Sequence, residues 1–230
     1  MTEESSPRIE TRFKGKFIFM GVLVFCALFM ILDNAYFRFA DSHFPSVGES
    51  AWLATLWGVV SRAHLILPIL ALVLWLPRYL GFQIGKTFQH WRMLLIMLIL
   101  NCGVIGGYLW LTQGTTPYSK DIWLVTEVIT VPLVEEIFWR GIVFTVLMTL
   151  LRKIYPEKKA DTLTVLLTGV AFGLLHANNL FAGVPLNFVV IQVLNATIWG
   201  LVYSYARLKT ESVYPSIVLH SAMNLIAILF

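Results

Sequence analysis

Apolar residues run along this chain in stretches of about 20 positions, separated by short polar segments. Seven such stretches emerge, at roughly 15–37, 52–76, 92–112, 122–151, 162–180, 186–206 and 213–230. A helix rises about 1.5 Å per residue and a bilayer core is about 30 Å thick, so stretches of this length can cross a membrane. The pattern predicts an all-α fold, a polytopic membrane helical bundle of about seven transmembrane helices. The fourth stretch is too long for one straight crossing. Pro132 predicts a kink there, with the part before it a separate short helix near the surface. The last stretch is short. No internal repeat, low-complexity tract or soluble domain interrupts the series.

Composition agrees. The 230 residues are 58% hydrophobic and 13% charged, and the mean hydropathy is +0.76. A soluble domain is nearer half apolar and about a quarter charged. The net charge of +4 carries little by itself, because basic residues in such a protein mark cytoplasmic loops rather than a nucleic-acid partner. With the N-terminus inside, one set of loops holds Arg8, Arg12, Lys14, Lys16, Arg78, Lys86, Arg92, Arg152, Lys153, Lys158, Lys159, Arg207 and Lys209. The opposite loops hold only Arg38 and Lys120, while Arg62 and Arg140 fall inside spans. This bias predicts seven spans with N-terminus in and C-terminus out; the membrane expected is a bacterial cell (inner) membrane. The basic residues before Phe17 imitate a signal peptide, but no small-residue cleavage site closes the run, so the first stretch reads as an uncleaved span. Cys26 and Cys102 lie in apolar runs without CxxC spacing and read as small core residues.

Against this background the intramembrane polar residues stand out. Glu135 and Glu136 sit side by side in an apolar run, where a carboxylate is costly and two repel each other. Glu136 and Arg140 are spaced i, i+4 with the acid N-terminal, which predicts an ion pair on one helix face. Glu135 lies about 100° around the helix and stays available to bind a water. Phe172 and His176 form another i, i+4 pair, with Gly169 and Gly173 one turn apart to allow close helix approach. His220 and Asn224 share one face of the last stretch. Counting from Thr162 places His176 roughly 20 Å from the inner surface, so the centre is expected to open toward the outer side.

Glu135-Glu136-x-x-x-Arg140, Phe172-x-x-x-His176 and His220-x-x-x-Asn224 follow in that order on successive predicted helices. This set resembles the three signature motifs of the CAAX protease and bacteriocin-processing (CPBP/Abi) family of intramembrane endopeptidases. The usual phenylalanine before the arginine is Trp139 here. The resemblance covers residues 120–230, a CPBP-like catalytic transmembrane core, and leaves residues 1–119 as three N-terminal spans that match only as hydrophobic segments. It implies hydrolysis of a peptide bond near the terminus of a membrane-associated or lipidated protein or peptide, with the catalytic centre between the fourth, fifth and seventh spans.

Amide hydrolysis needs an activated water, a proton donor for the leaving amine and donors for the oxyanion. The resemblance makes Glu135 the base, with Glu136 and Arg140 supporting the site. His176 can orient the water and shuttle its proton. His220 and Asn224 can donate to the oxyanion. Two histidines and a glutamate are also a legitimate zinc set, so zinc held by Glu135, His176 and His220 is the alternative. The absence of HExxH, and an asparagine where a ligand would be expected, favour chemistry without a cofactor. No GxSxG is present for a serine mechanism, and Asp33, Asp41, Asp121 and Asp161 are expected at loop edges, away from an aspartyl site. Two further readings are a proton-coupled transporter, for which inverted repeats are lacking, and a non-enzymatic membrane immunity or binding factor. The partners implied are a protein or peptide substrate with a membrane-embedded or lipidated segment, and membrane lipids.

The remaining polar residues read as structural. Arg62 and His64 interrupt the second stretch and are expected to pair with Glu127. Asn187, Gln192 and Asn195 are expected to bond between helices, and Asn178 and Asn179 to end the fifth helix. His43 and His90 are placed in loops. Trp52, Trp91 and Trp123 are read as interfacial anchors.

Overall fold

The computed structural model describes residues 7–43, 50–112 and 120–229. Among these there is no strand. Ten α-helices follow in order: α1 Pro7–His43, α2 Ala51–Val60, α3 Ala63–Trp75, α4 Trp91–Thr112, α5 Lys120–Val125, α6 Val131–Glu136, α7 Phe144–Arg152, α8 Glu157–Leu175, α9 Leu186–Thr210 and α10 Tyr214–Leu229. Every apolar stretch read from the sequence is helical. The expected boundary after residue 119 borders residues 113–119, which lie outside the described residues.

By length and composition, four helical segments can cross a membrane: Gly15–Ala40, Thr87–Leu111, Glu157–Leu180 and Leu186–Thr210. The bent pair Trp52–Val60 and Ala63–Trp75 makes a fifth if counted as one span. The expected count of about seven is therefore reached only with two further segments. One is α10, whose 16 residues rise only about 24 Å as a helix. The other is the charge-bearing stretch from α5 to α7. Large apolar side chains on α1, among them Phe17, Met20, Ile31 and Leu32, are exposed, as lipid-facing residues are. The protein is an integral membrane helical bundle.

Two breaks in helical regularity matter for the site. The first ends α2. Ser61 Oγ and Arg62 Nη1 both donate to the carbonyl of Gly58, at 3.3 and 3.2 Å, and Arg62 leaves helical geometry at φ −114°, ψ 7°. Polar side chains there take over a carbonyl that a continuing helix would use. α3 departs from α2 at 57°. The second break lies in the fourth stretch. The helix does not split at Pro132 into a short surface helix and a span, as the sequence predicted. Instead α5, α6 and α7 are joined by two π-helical segments, Thr126–Thr130 and Ile137–Val143. Pro132 falls in the first turn of α6, where a missing N–H is tolerated.

The chain forms two compact units, residues 1–34 with 143–204, and residues 35–142 with 205–230. In the first, Leu147, Leu151 and Ala160 make a core joined by Ile18, Val22, Val143, Tyr155, Leu163 and Leu167. Arg152 bridges the turn into α8 through Asp161 at 2.8 Å and Glu157 at 3.2 Å. The glycine pair of α8 lets α9 come close, as its spacing predicted. A Cβ on Gly173 would lie 2.7 Å from the Cα of Thr197, and one on Gly169 would lie 2.7 Å from the backbone nitrogen of Leu201. Gly173→Ala must therefore push two backbones apart. It is expected to destabilise the protein by about 1–3 kcal/mol, read as a lowered unfolding midpoint in detergent beside a Leu174→Ala control on the exposed face.

Asp33 is not at a loop edge. α1 continues through it to His43, because its carboxylate accepts a hydrogen bond from Asn178 Nδ2 at 2.9 Å, while Asn34 Nδ2 donates to Met30 O at 3.0 Å and to Asn178 Oδ1. His43 likewise belongs to the last turn of α1, not to a loop, and is exposed beside Phe39. Asn178 and Asn179 do end the fifth stretch, in the 3₁₀ turn His176–Leu180. Asn179 Nδ2 donates to Gln192 Oε1 at 2.7 Å, the interhelical bond expected of Gln192. Cys26 is buried and Cys102 half-buried, both as free thiols.

In the second unit, α10 packs on α4, on the first π segment and on α6, and α2 packs on α5. Ile69, Val134 and Ile137 form a core with Leu65, Ile66, Phe82 and Ile217 around them. Arg207 was read as an inner-loop charge. It is instead buried within α9, and its Nε donates to the carbonyl of Arg140 at 3.1 Å. Its guanidinium lies where a Cβ on Gly81 would be, 2.6 Å from Cζ, and Gly81 takes φ +83°. Only glycine permits both the turn and the approach.

Candidate active site

α6 is one and a half turns long and carries both glutamates between the two π segments. Glu136 is fully buried, and so is Arg140. Arg140 Nη1 donates to Glu136 Oε1 at 3.0 Å, the i, i+4 pair that the spacing predicted. The same oxygen faces His220 Nδ1 at 2.9 Å. A carboxylate only accepts, so Nδ1 of His220 carries a proton and Nε2 is the ring's remaining chemical face. Glu136 thus serves both Arg140 and His220, a link across 84 residues of sequence that no helical spacing discloses.

Glu135 points elsewhere. It is half-buried. Its Oε2 is sealed from solvent and has no hydrogen-bond partner among the described residues. A buried carboxylate oxygen in that state needs a donor, and a water is the smallest one. Glu127 joins the group electrostatically, interacting with Arg62, Glu135 and His220. The expected partnership of Arg62 with Glu127 is thus a charge–charge interaction, while the guanidinium's hydrogen bonds go to Gly58 O and Ser61 Oγ. His64 packs against the Tyr36 ring, with centroids 4.4 Å apart.

Asn224 sits one turn beyond His220 on α10, and its Nδ2 donates to the backbone carbonyl of Glu127 at 2.7 Å. Asn101, fully buried on α4, donates to the carbonyl of Leu219 at 2.7 Å, next to His220. Neither Asn101 nor Arg207 was singled out from the sequence as a site residue. The signal for Asn101 was present, since an asparagine inside an apolar stretch needs a partner.

His176 and Phe172 belong to the other unit. Phe172 is buried at the end of α8, and its ring meets the His176 ring edge-on at 5.0 Å. His176 Nδ1 lies 3.0 Å from the carbonyl of Phe172. A carbonyl cannot donate, so Nδ1 holds the proton and a neutral ring presents Nε2 as an acceptor. The FxxxH spacing therefore sets both the orientation and the tautomer of the histidine.

Among the described residues, no group of three or more His, Cys, Asp and Glu side chains is arranged to hold a metal ion. The chemistry below is derived from side chains alone.

No curated protein and no solved structure matches the chain. The sequence model of the Rce1-like type II CAAX prenyl endopeptidases matches residues 117–226, a segment that carries α6, the 3₁₀ turn with His176, and α10 as far as Asn224. Over that segment the chain is similar to the Rce1-like type II CAAX prenyl endopeptidases.

Proposed function

We propose that the protein is a glutamic intramembrane endopeptidase in which Glu135 activates the hydrolytic water. The observation that carries this reading is the division between the two glutamates. Glu136 is committed to Arg140 and His220. Both glutamates keep a buried Oε2 without a hydrogen-bond partner among the described residues, but Glu135 is half-buried and has neither the Arg140 nor the His220 bond that ties down Glu136. A water bound at Glu135 is held by an acceptor able to take its proton as it attacks a peptide carbonyl. Nδ1–H of His220 stays on Glu136. When the ring is doubly protonated, its Nε2–H is a donor for the oxyanion, and the second amide hydrogen of Asn224 is another. The motif resemblance alone assigns His176 to orient the water and return its proton to the leaving amine. The bond broken is the amide C–N, the bond formed is C–O from water, and the proton moves from water to the amine.

The proposed substrate is a protein or peptide whose cleavage site is brought to the centre by a lipidated or membrane-embedded segment, with the surrounding lipids as solvent; the similarity to a protease family supports a protein substrate. The loop charges support N-terminus in and C-terminus out, and the proposed location is a bacterial inner membrane. The test is cleavage by purified, chelator-treated protein of a panel of prenylated C-terminal peptides, leader peptides and C-terminal membrane tails. Cleavage of at least one, with metal analysis showing less than one equivalent bound, is the expected result. Cleavage that vanishes on chelation and returns with zinc would overturn the metal-free mechanism. Failure on the whole panel would favour a membrane immunity or binding factor.

A further inference from the structure

We infer that Asn224 is a positioning residue as well as an oxyanion donor: it caps a backbone carbonyl that the first π segment leaves bare, and so locks α10 to the helix carrying the glutamates. In the π segment Thr126–Thr130 the N–H of Val131 reaches the carbonyl of Thr126, five residues back. The next N–H in that register would serve the carbonyl of Glu127, but position 132 is proline and has none. If the register returns to four residues at that point, the carbonyl of Glu127 is skipped in any case. In either register Glu127 O loses its helical donor inside a membrane protein, where an unmet carbonyl is costly. Asn224 Nδ2 fills that vacancy at 2.7 Å.

The second π segment repeats the device. Its Arg140 carbonyl accepts from the Nε of Arg207 at 3.1 Å. α6, with Glu135 and Glu136, is therefore flanked by two irregular segments, each bonded through a backbone carbonyl to a side chain distant in sequence. The Asn224 bond has the more direct consequence for chemistry. His220 lies on the same face of α10, one turn earlier, and meets Glu136 at 2.9 Å. The two bonds from one helix face fix α10 against both ends of the Thr126–Glu136 segment. Losing the Asn224 bond frees the Glu127 carbonyl, loosens the π segment and moves Glu135 and the His220–Glu136 pair off register. Asparagine suits the task because its amide is a neutral donor. Aspartate of the same shape would place an acceptor against an acceptor.

The test uses the full-length protein in detergent, without substrate: backbone hydrogen exchange over residues 126–136 in wild type, Asn224→Ala, Asn224→Asp and the double variant Asn224→Ala/Pro132→Ala. This readout needs no catalysis, so its failure is separable from failure of the peptidase reading on which the inference rests. Exchange in this segment is expected to rise at least about tenfold in both single variants, equivalent to about 1.4 kcal/mol of lost protection. The double variant, which regains an N–H beside the open carbonyl, is expected to recover part of it. Activity is expected to fall through kcat rather than KM, because substrate contacts in the ground state are retained. Unchanged exchange over 126–136 in both single variants would overturn the inference and leave Asn224 as a donor to substrate only. Should Asn224→Ala not fold, Asn224→Asp against wild type decides by the same comparison.

Discussion

Glu135→Gln is expected to lower the rate of peptide cleavage by about 10²–10⁴-fold, the range that a positioned general base contributes, while leaving the protein folded. Glutamine keeps the volume and one acceptor oxygen of the side chain but cannot take a proton from water. Glu135 has no hydrogen bond to Arg140 or His220 among the described residues, so its charge can be removed without breaking the buried ion pair. The loss should therefore appear in turnover, with an unfolding midpoint close to that of wild type. A Glu135→Gln protein that is folded and cleaves at the wild-type rate would show that another group activates the water.

The adjacent substitution is expected to do the opposite. Glu136→Ala removes the carboxylate paired with Arg140 in a site where both side chains are fully buried, and it takes the acceptor from His220 at the same time. Removing one member of a buried pair costs about 3–5 kcal/mol, because the remaining charge stays desolvated. Removing both is far milder, since the charges leave together. In a thermodynamic cycle, Glu136→Met/Arg140→Met should be closer to wild type than Glu136→Ala, measured by unfolding in detergent. A single variant within about 0.5 kcal/mol of wild type would mean that the pair is not buried as described. Both variants are expected to be inactive, one through the stability of the fold and the other through His220.

What the sequence disclosed follows from the range of each signal. Runs of about 20 apolar residues are local, and every helical region was visible in them. The Glu136–Arg140 pair and the Phe172–His176 contact were equally legible, because i, i+4 neighbours meet on any helix. The His220–Glu136 bond was not readable from spacing. Only the order of the motifs placed these residues in one site. The π segments left no compositional trace, since an inserted residue changes register and not polarity. Pro132 advertised an irregularity there, but a kink and a skipped carbonyl look alike from one proline. Asp33 and Arg207 were misplaced for a shared reason. A charge near a span end reads as a loop residue, and the partners that hold these two within helices, Asn178 and the Arg140 carbonyl, lie far away in sequence.

The most direct test of the central claim is a side-by-side measurement of initial cleavage rates for chelated, metal-analysed wild type and Glu135→Gln on one membrane peptide, with the products identified by mass. The account predicts that metal-depleted wild type releases products of a single hydrolysed amide, and that the variant falls by at least about a hundredfold while remaining folded. Equal rates for the two folded proteins, or a wild type that cuts only after zinc is restored, would contradict it.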